Sequence, residues 1–336
     1  MSDQKDVFLD GVQRDPKATY MFTDNRALPL EGRASRSLLH ANPSFQPRYQ
    51  NQVDHWVAAS QSYRSVDVRL DRTACALWAY MNPQERPSVT RQLAEESRHL
   101  QGRIADLLNA QDQEGESALR YVVWASRLPG IFNLGGDLPL FAALIRARDR
   151  VGLLDYALAC VDVVYNNAVA MELPVQTICL VQGDALGGGF EAAISANVVI
   201  AERNAKFGLP EVLFNLFPGM GAYSLIARRA NTVTAERLIF SGKVYSAEEM
   251  YDLGLVDVLC EAGEGVAAVD QFIKQNQRNQ AARCAIYKAR QMINPLSKTE
   301  MENITELWVE AALKLEACDL RRMERLAKAQ NRRLAD

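Results

Sequence analysis

With 336 residues, 48% of them apolar, the chain can bury a substantial core as one large domain with appendages or as two modest ones. A formal net charge of -3 gives no general electrostatic case for nucleic acid or a membrane surface, and no apolar run approaches the ~18 residues of a membrane span. The opening MSDQKDVFLDGVQRD lacks the apolar stretch of a signal peptide, so the expectation is a cytoplasmic protein.

Residues 1–60 are polar, carry scattered prolines (Pro16, Pro29, Pro43, Pro47) and show no sustained periodicity. They read as an N-terminal extension, partly disordered or packed on the core. The core is expected over 61–265. It opens with Val66, Val68 and Leu70 alternating with polar residues, the mark of a half-buried strand, and Ala74–Met81 reads as its partner. Leu93, Leu100, Ile104, Leu107 and Leu108 recur at helical spacing within Val89–Leu108. Tyr121–Ala125 reads as a buried strand, Leu138–Met171 as a long helical stretch breaking near Gly152, and Gln176–Val181 as another strand. A short β-like run follows at Asn197–Ala201. Such strand-strand-helix units suggest a stacked α/β spiral. Residues 266–336 turn helical, with Ile304, Trp308, Ala311, Leu315, Met323 and Leu326 near helical periodicity.

The six cysteines (Cys75, Cys160, Cys179, Cys260, Cys284, Cys318) are scattered without C-x-x-C or metal-site spacing, so they are expected to be reduced, and no metal is expected. His40, His55 and His99 all lie in the first hundred residues, which disfavours Ser-His or Cys-His chemistry further along.

The chemistry is concentrated in Ile178–Arg229. An apolar strand leads to Gly187, Gly188 and Gly189, and then to a helix-like segment carrying Glu191. Bare amides at such a strand-to-helix turn suit an oxygen that gains negative charge. A P-loop is excluded, because no Lys-Ser or Lys-Thr follows the glycines. A second turn, Gly135-Gly136-Asp137-Leu138, ends the preceding strand region. Asp137 is placed to cap the next helix, which leaves the Gly136 amide exposed. Two such amides, from Gly136 and Gly188, would make an oxyanion hole. Glu211, twenty positions beyond Glu191 and just after Gly208-Leu209-Pro210, supplies a second carboxyl. Each glutamate also has a plainer reading, Glu191 as a salt-bridge partner and Glu211 as a first-turn acid favoured by the helix dipole. Two carboxyls in one apolar site would raise each other's pKa and titrate as a unit, fit for acid–base work.

The G-G-D-L turn, A-L-G-G-G-F-E, F-G-L-P-E-V, Pro218-Gly219-Met220-Gly221 and the later S-G-K, S-A-E-E and G-L-V-D segments resemble, in order and spacing, the crotonase (enoyl-CoA hydratase/isomerase) superfamily over roughly 65 to 290. Phe132–Leu138, Gly208–Phe214, Leu216–Ser224 and Ile304–Val309 resemble one branch of it, the diffusible signal factor synthases, bacterial enzymes that make cis-2-unsaturated fatty acid signals for quorum sensing.

The resemblance implies a crotonase-type spiral of ββα units with a helical C-terminal region, a homotrimer or dimer of trimers, and no cofactor beyond a substrate carried on the phosphopantetheine of acyl carrier protein or CoA. It implies dehydration of a 3-hydroxyacyl thioester to the cis-2-enoyl form and hydrolysis to the free acid. Glu191 and Glu211 would be catalytic, and Gly136 and Gly188 would hold the thioester oxygen. Gly135, Gly187, Leu134, Leu186, Phe190, Leu209, Phe214 and Met220 would surround the substrate. Trp308 is a candidate wall of the acyl pocket or an ordinary core tryptophan. The basic stretch Arg321, Arg322, Arg325, Lys328, Arg332 and Arg333 would meet an acidic carrier protein or form a solvated helix face. Two rivals stand beside this reading: an enoyl-CoA hydratase or isomerase of fatty-acid metabolism, and a non-catalytic partner of a sensor kinase.

Overall fold

The computed structural model describes Trp56, residues 62–109 and residues 119–333. The N-terminal extension apart from Trp56, with His40 and His55, lies outside the described residues. No helix among the described residues is long and apolar enough to cross a membrane.

Among the described residues, ten strands form two sheets. The larger has the order β1 (Val66–Asp71), β2 (Ala76–Met81), β3 (Tyr121–Ser126), β5 (Gln176–Val181), β7 (Val198–Glu202), β10 (Val258–Cys260). Only the β1–β2 pair is antiparallel; the others run parallel. Every residue of β2, β3, β5 and β7 is buried, as a parallel sheet covered on both faces requires. Alternation still sorts the side chains. Leu77, Ala79, Met81, Val122, Trp124, Cys179 and Val181 enter one core, while Trp78, Tyr80, Tyr121, Val123, Ile178 and Leu180 enter the other. Val269 and Ile273, from the helix Gly265–Asn276, close the second core.

The smaller sheet has the order β4 (Ile131–Asn133), β6 (Asp184–Leu186), β8 (Lys206–Gly208), β9 (Val244–Ser246). Its first three strands run parallel, Ile131 beside Asp184 and Leu186 beside Gly208, with a shift of register between Ile131 and Asn133. Each follows directly on a strand of the larger sheet: β3 leads to β4, β5 to β6, and β7 to β8. A helical segment then completes the turn, at Leu138–Arg146, Gly188–Ser195 and Pro210–Phe214. This is the ββα spiral, and stacking its turns brings the exits of β4, β6 and β8 side by side.

The long helical stretch after Leu138 is two helices, Leu138–Arg146 and Arg150–Ala168. The break falls at residues 147–149, within the charged run Arg146–Arg150 and just before Gly152. Arg148 is left-handed there, and the Asp149 carboxylate caps the next helix by accepting from the Gly152 amide at 2.9 Å. Beyond the spiral, the helices Lys298–Ala312 and Ala317–Arg332 fold back over it. Glu300 receives Ser224 and Arg228, and Gln330 Nε2 donates to the Leu134 carbonyl at 2.7 Å.

Candidate active site

The exits of β4 and β6 are interlocked backbone. Asn133 Oδ1 accepts the Gly135 amide at 2.9 Å, and Gly135 takes φ +98°. A Cβ on Gly135 would lie 2.9 Å from the Leu186 carbonyl oxygen, and one on Gly189 would lie 2.0 Å from the Asn133 carbonyl oxygen. Only glycine allows the two turns to approach this closely. The Gly136 amide nitrogen lies 3.5 Å from where a Cβ on Gly188 would stand, so the two amides are neighbours. Gly188 opens its helix, where the amide has no intrahelical acceptor. Among the described residues neither amide is bonded to a protein acceptor.

The freedom of the Gly136 amide has a structural cause. The segment Pro87–Val89 runs beside the turn: Leu134 N–H donates to the Pro87 carbonyl and Val89 N–H to the Gly135 carbonyl, both at 2.7 Å. The next rung is taken by a side chain. The hydroxyl of Tyr156 accepts from the Asp137 amide at 3.2 Å and donates to the Val89 carbonyl. Asp137 in turn accepts Leu140 N–H at 3.1 Å, capping its helix, and pairs with Arg86 at 2.6 Å.

Glu191 sits in the first turn of its helix, 1% exposed. Its Oε1 accepts the amides of Met220 at 2.8 Å and Ala222 at 2.9 Å, which fixes the carboxyl in one place. Glu211 comes from the short turn Pro210–Phe214 at the exit of β8. Its Oε1 lies 2.5 Å from where a Cβ on Gly187 would be, so the carboxyl rests on the bare Gly187 backbone. Its Oε2 is buried and has no hydrogen-bond partner. Burial raises both carboxyls far above the ordinary range, Glu191 to about 7 and Glu211 to about 8. The backbone amides hold Glu191 down against that push. For Glu211, the nearby charge of Glu191 adds to the rise. With Glu191 held by two amide donors and Glu211 Oε2 without a partner, Glu211 is the natural holder of a shared proton.

Both glutamates and both amides open onto one cavity, whose remaining wall includes Leu138, Phe141, Tyr156, Phe214, Leu216, Met220 and Trp308. The site thus offers two amide donors for an oxyanion, one fixed carboxyl and one bare carboxyl in apolar surroundings. That is equipment for moving a proton beside a carbonyl group. Among the described residues no group of acidic, histidine or cysteine side chains is arranged to hold a metal ion. His99 is exposed and its ring bonds Tyr63.

A family model for enoyl-CoA hydratase/isomerase matches residues 100–316. The chain belongs to that family. The probable mitochondrial enoyl-CoA hydratase 2 of Arabidopsis thaliana is 30% identical over 195 residues, covering 57% of this chain and 61% of the plant protein. The mitochondrial methylglutaconyl-CoA hydratase of Rattus norvegicus is 33% identical over 156 residues, 46% of this chain and 47% of the rat protein. The chain therefore spans less than two thirds of the length of these relatives. Among solved structures, the enoyl-CoA hydratase of Bacillus halodurans superposes with a TM-score of 0.64 at 20% identity, covering 78% of this chain and all of that one. That likeness is one of fold.

In this member of the enoyl-CoA hydratase/isomerase family, the structure gathers Glu191, Glu211, Gly136, Gly188, Phe214, Met220 and Trp308 around one cavity. Gly135 and Gly187 shape it from behind. Leu134, Leu186, Phe190 and Leu209, expected at the substrate, do not line it. Leu134 and Leu209 are core residues, and Phe190 packs edge-on against Phe207 with ring centres 5.3 Å apart. The reason is direction: Phe190 precedes Glu191 on a tight helix and faces the opposite side, toward the small sheet. Six cavity residues were not among those expected there, namely Leu138, Phe141, Tyr156, Ala157, Leu216 and Gly219. Phe141 lies on the buried face of an amphipathic helix, and Tyr156 is one of several buried residues of a helix with little amphipathic contrast, so nothing in their spacing sets them apart. Trp308 is wall and core at once, 4% exposed, with its ring 5.1 Å from that of Phe141.

Proposed function

We propose that this protein is an enoyl-thioester hydratase or dehydratase, acting on an acyl chain joined to CoA or to a carrier by a thioester. The observation that carries the reading is the shared cavity, in which two unbonded amides converge with two buried carboxyls, one held by backbone amides and one with a bare oxygen. The amides of Gly136 and Gly188 receive the thioester oxygen as it becomes an enolate. A carboxylate takes the C2 proton, and a carboxylic acid gives its proton to the C3 hydroxyl, which leaves as water. The enolate then collapses to the double bond. Hydration is the same path reversed. Glu191, held by two amides, suits the ionised role, and Glu211, with its bare oxygen, suits the protonated one.

In its finer form, the reading is that of a diffusible signal factor synthase. The substrate is then a 3-hydroxyacyl thioester of acyl carrier protein, and the product is a free cis-2-enoic acid. After dehydration, a glutamate takes a proton from water, the hydroxide adds to the thioester carbonyl, and the thiol leaves with a proton. Its support is that the segments resembling that branch are those that build the site: 132–138 presents Gly136, 216–224 fixes Glu191, and 304–309 supplies Trp308. Against it stand relatives named as CoA hydratases. Mass spectrometry after incubation with a 3-hydroxyacyl carrier protein separates the two. Free cis-2-enoic acid supports the synthase, hydration of trans-2-enoyl-CoA alone leaves the hydratase, and neither product overturns both.

A further inference from the structure

The last helix, Ala317–Arg332, lies against the stacked turns that build the site and reaches each of them with a side chain. Leu320, Met323 and Ala327 are buried and anchor it. Near its start, Asp319 Oδ2 accepts from Asn215 Nδ2 at 3.5 Å, and Asn215 is the left-handed residue that ends the Glu211 turn. At its far end, Gln330 holds the Leu134 carbonyl just past β4, at 2.7 Å. Three positions on, where side chains share a helix face, Arg333 pairs with Asp184, the first residue of β6, at 2.5 Å. β4 and β6 are the strands whose exits present the Gly136 and Gly188 amides. One helix end is therefore tied to both.

A backbone amide points where its peptide plane points. The Gly136 N–H shares a plane with the Gly135 carbonyl, which accepts from the Val89 amide at 2.7 Å. The plane before it carries the Leu134 carbonyl, bonded by Gln330, and the Gly135 N–H, bonded by Asn133 Oδ1. The joint between the two planes is Gly135, at φ +98°, where the lack of a Cβ leaves rotation least hindered. A rigid cradle therefore needs the earlier plane held on both edges, and Gln330 holds the second. On the other strand, Arg333 fixes the start of β6, shortly ahead of Gly188. We propose that Gln330 and Arg333 are positioning residues, which hold the two strands so that the Gly136 and Gly188 amides face one oxygen. The inference rests on the thioester reading above, which supplies that oxygen.

The test compares full-length Gln330→Met, Gln330→Lys and Arg333→Met with the parent, using a conjugated dienoyl thioester of pantetheine, the arm common to CoA and a carrier. Donors on the thioester oxygen polarise the conjugated system and move its ultraviolet absorption to the red. Gln330→Met removes the donor at nearly constant length, so the red shift of the bound probe should shrink. Its kcat for hydration should fall about three- to tenfold, the worth of one hydrogen bond, with KM within about twofold of the parent. Gln330→Lys, which keeps a donor, should recover most of both. Arg333→Met should do less, about two- to threefold in kcat, because its ion pair is partly exposed. It decides the matter if Gln330→Met fails to fold. A lower melting temperature with parental red shift and kcat, or a loss confined to KM, overturns the proposal and leaves the thioester reading standing. A parent protein that binds the probe without any red shift, or does not bind it, removes that reading and the proposal together.

Discussion

The two sides of the catalytic cavity are made of different material. The side proposed to bind the thioester oxygen is backbone: the Gly136 and Gly188 amides at the exits of β4 and β6, held by the pairing of those strands and by turns that touch through bare glycine. The opposite side is made of side chains drawn from remote segments: Phe141, Tyr156, Leu216 and Trp308. The first is determined by local sequence and by the stacking of the spiral. The second exists only once the helices have packed. Changes on the backbone side should therefore alter rate with whatever substrate is offered, and changes on the other should alter which substrate fits. The glutamates lie between, side chains set by backbone on both flanks.

The largest effect should come from the glutamates themselves. Glu191→Gln and Glu211→Gln should each lower kcat by about 10²–10⁴-fold while leaving a folded protein, the range expected when a positioned acid or base is lost. Near-parental activity in both purified variants would remove them from the chemistry. Next comes the cradle. Gly188→Pro deletes one amide donor at a helix position where proline is tolerated, and should cost about 10²–10³-fold in kcat with little change in fold by circular dichroism. A variant with parental kcat would show that the oxyanion is held elsewhere.

This division also explains what the sequence discloses. Gly135-Gly136-Asp137 and Gly187-Gly188-Gly189 are conspicuous because a backbone site needs glycine, a residue otherwise avoided inside elements. Glu191 and Glu211 stand out as acids amid apolar neighbours. Asp137 was readable as a cap, and the larger sheet from β1 to β7 as alternating or apolar runs; its three-residue edge strand β10 was not. The smaller sheet was not: its parallel strands have three residues each, too few for any periodicity to register. Phe190 looked like a pocket residue because proximity in sequence says nothing about which way a helical side chain points. Tyr156 escaped for the opposite reason, since its role depends on Val89 and Asp137, both distant along the chain.

Tyr156→Phe sharpens the comparison, because here a side chain from the wall completes the backbone of the cradle. Loss of the hydroxyl leaves the Asp137 amide and the Val89 carbonyl without their shared partner, at about 1–3 kcal/mol of stability. If the hydroxyl also aims the Gly136 amide, kcat should fall about tenfold or less with KM nearly unchanged. The carbonyl of a bound conjugated thioester should also be less polarised, read as a smaller red shift in its ultraviolet absorption. Lower melting temperature with an unaltered red shift would make Tyr156 purely structural.

The smallest effect is on stability against pH. Both glutamates are raised by burial from an ordinary value near 4.5, to about 7 and about 8. Between those limits the folded protein holds more protons than the unfolded chain, so unfolding releases them and stability must fall as pH rises. The contribution is whole below the unfolded value and declines as the pair ionises in its dry site. Glu211→Gln keeps the shape of the protonated acid and removes one of these ionisations. Its melting temperature should match the parent near pH 5 and exceed it near pH 8, by about 2–4 °C for each kcal/mol of relieved strain. The gap must widen with pH. If it narrows, or if the variant is less stable at pH 8, Glu211 is already ionised and satisfied in the fold, and the assignment of the shared proton to its bare oxygen fails with it.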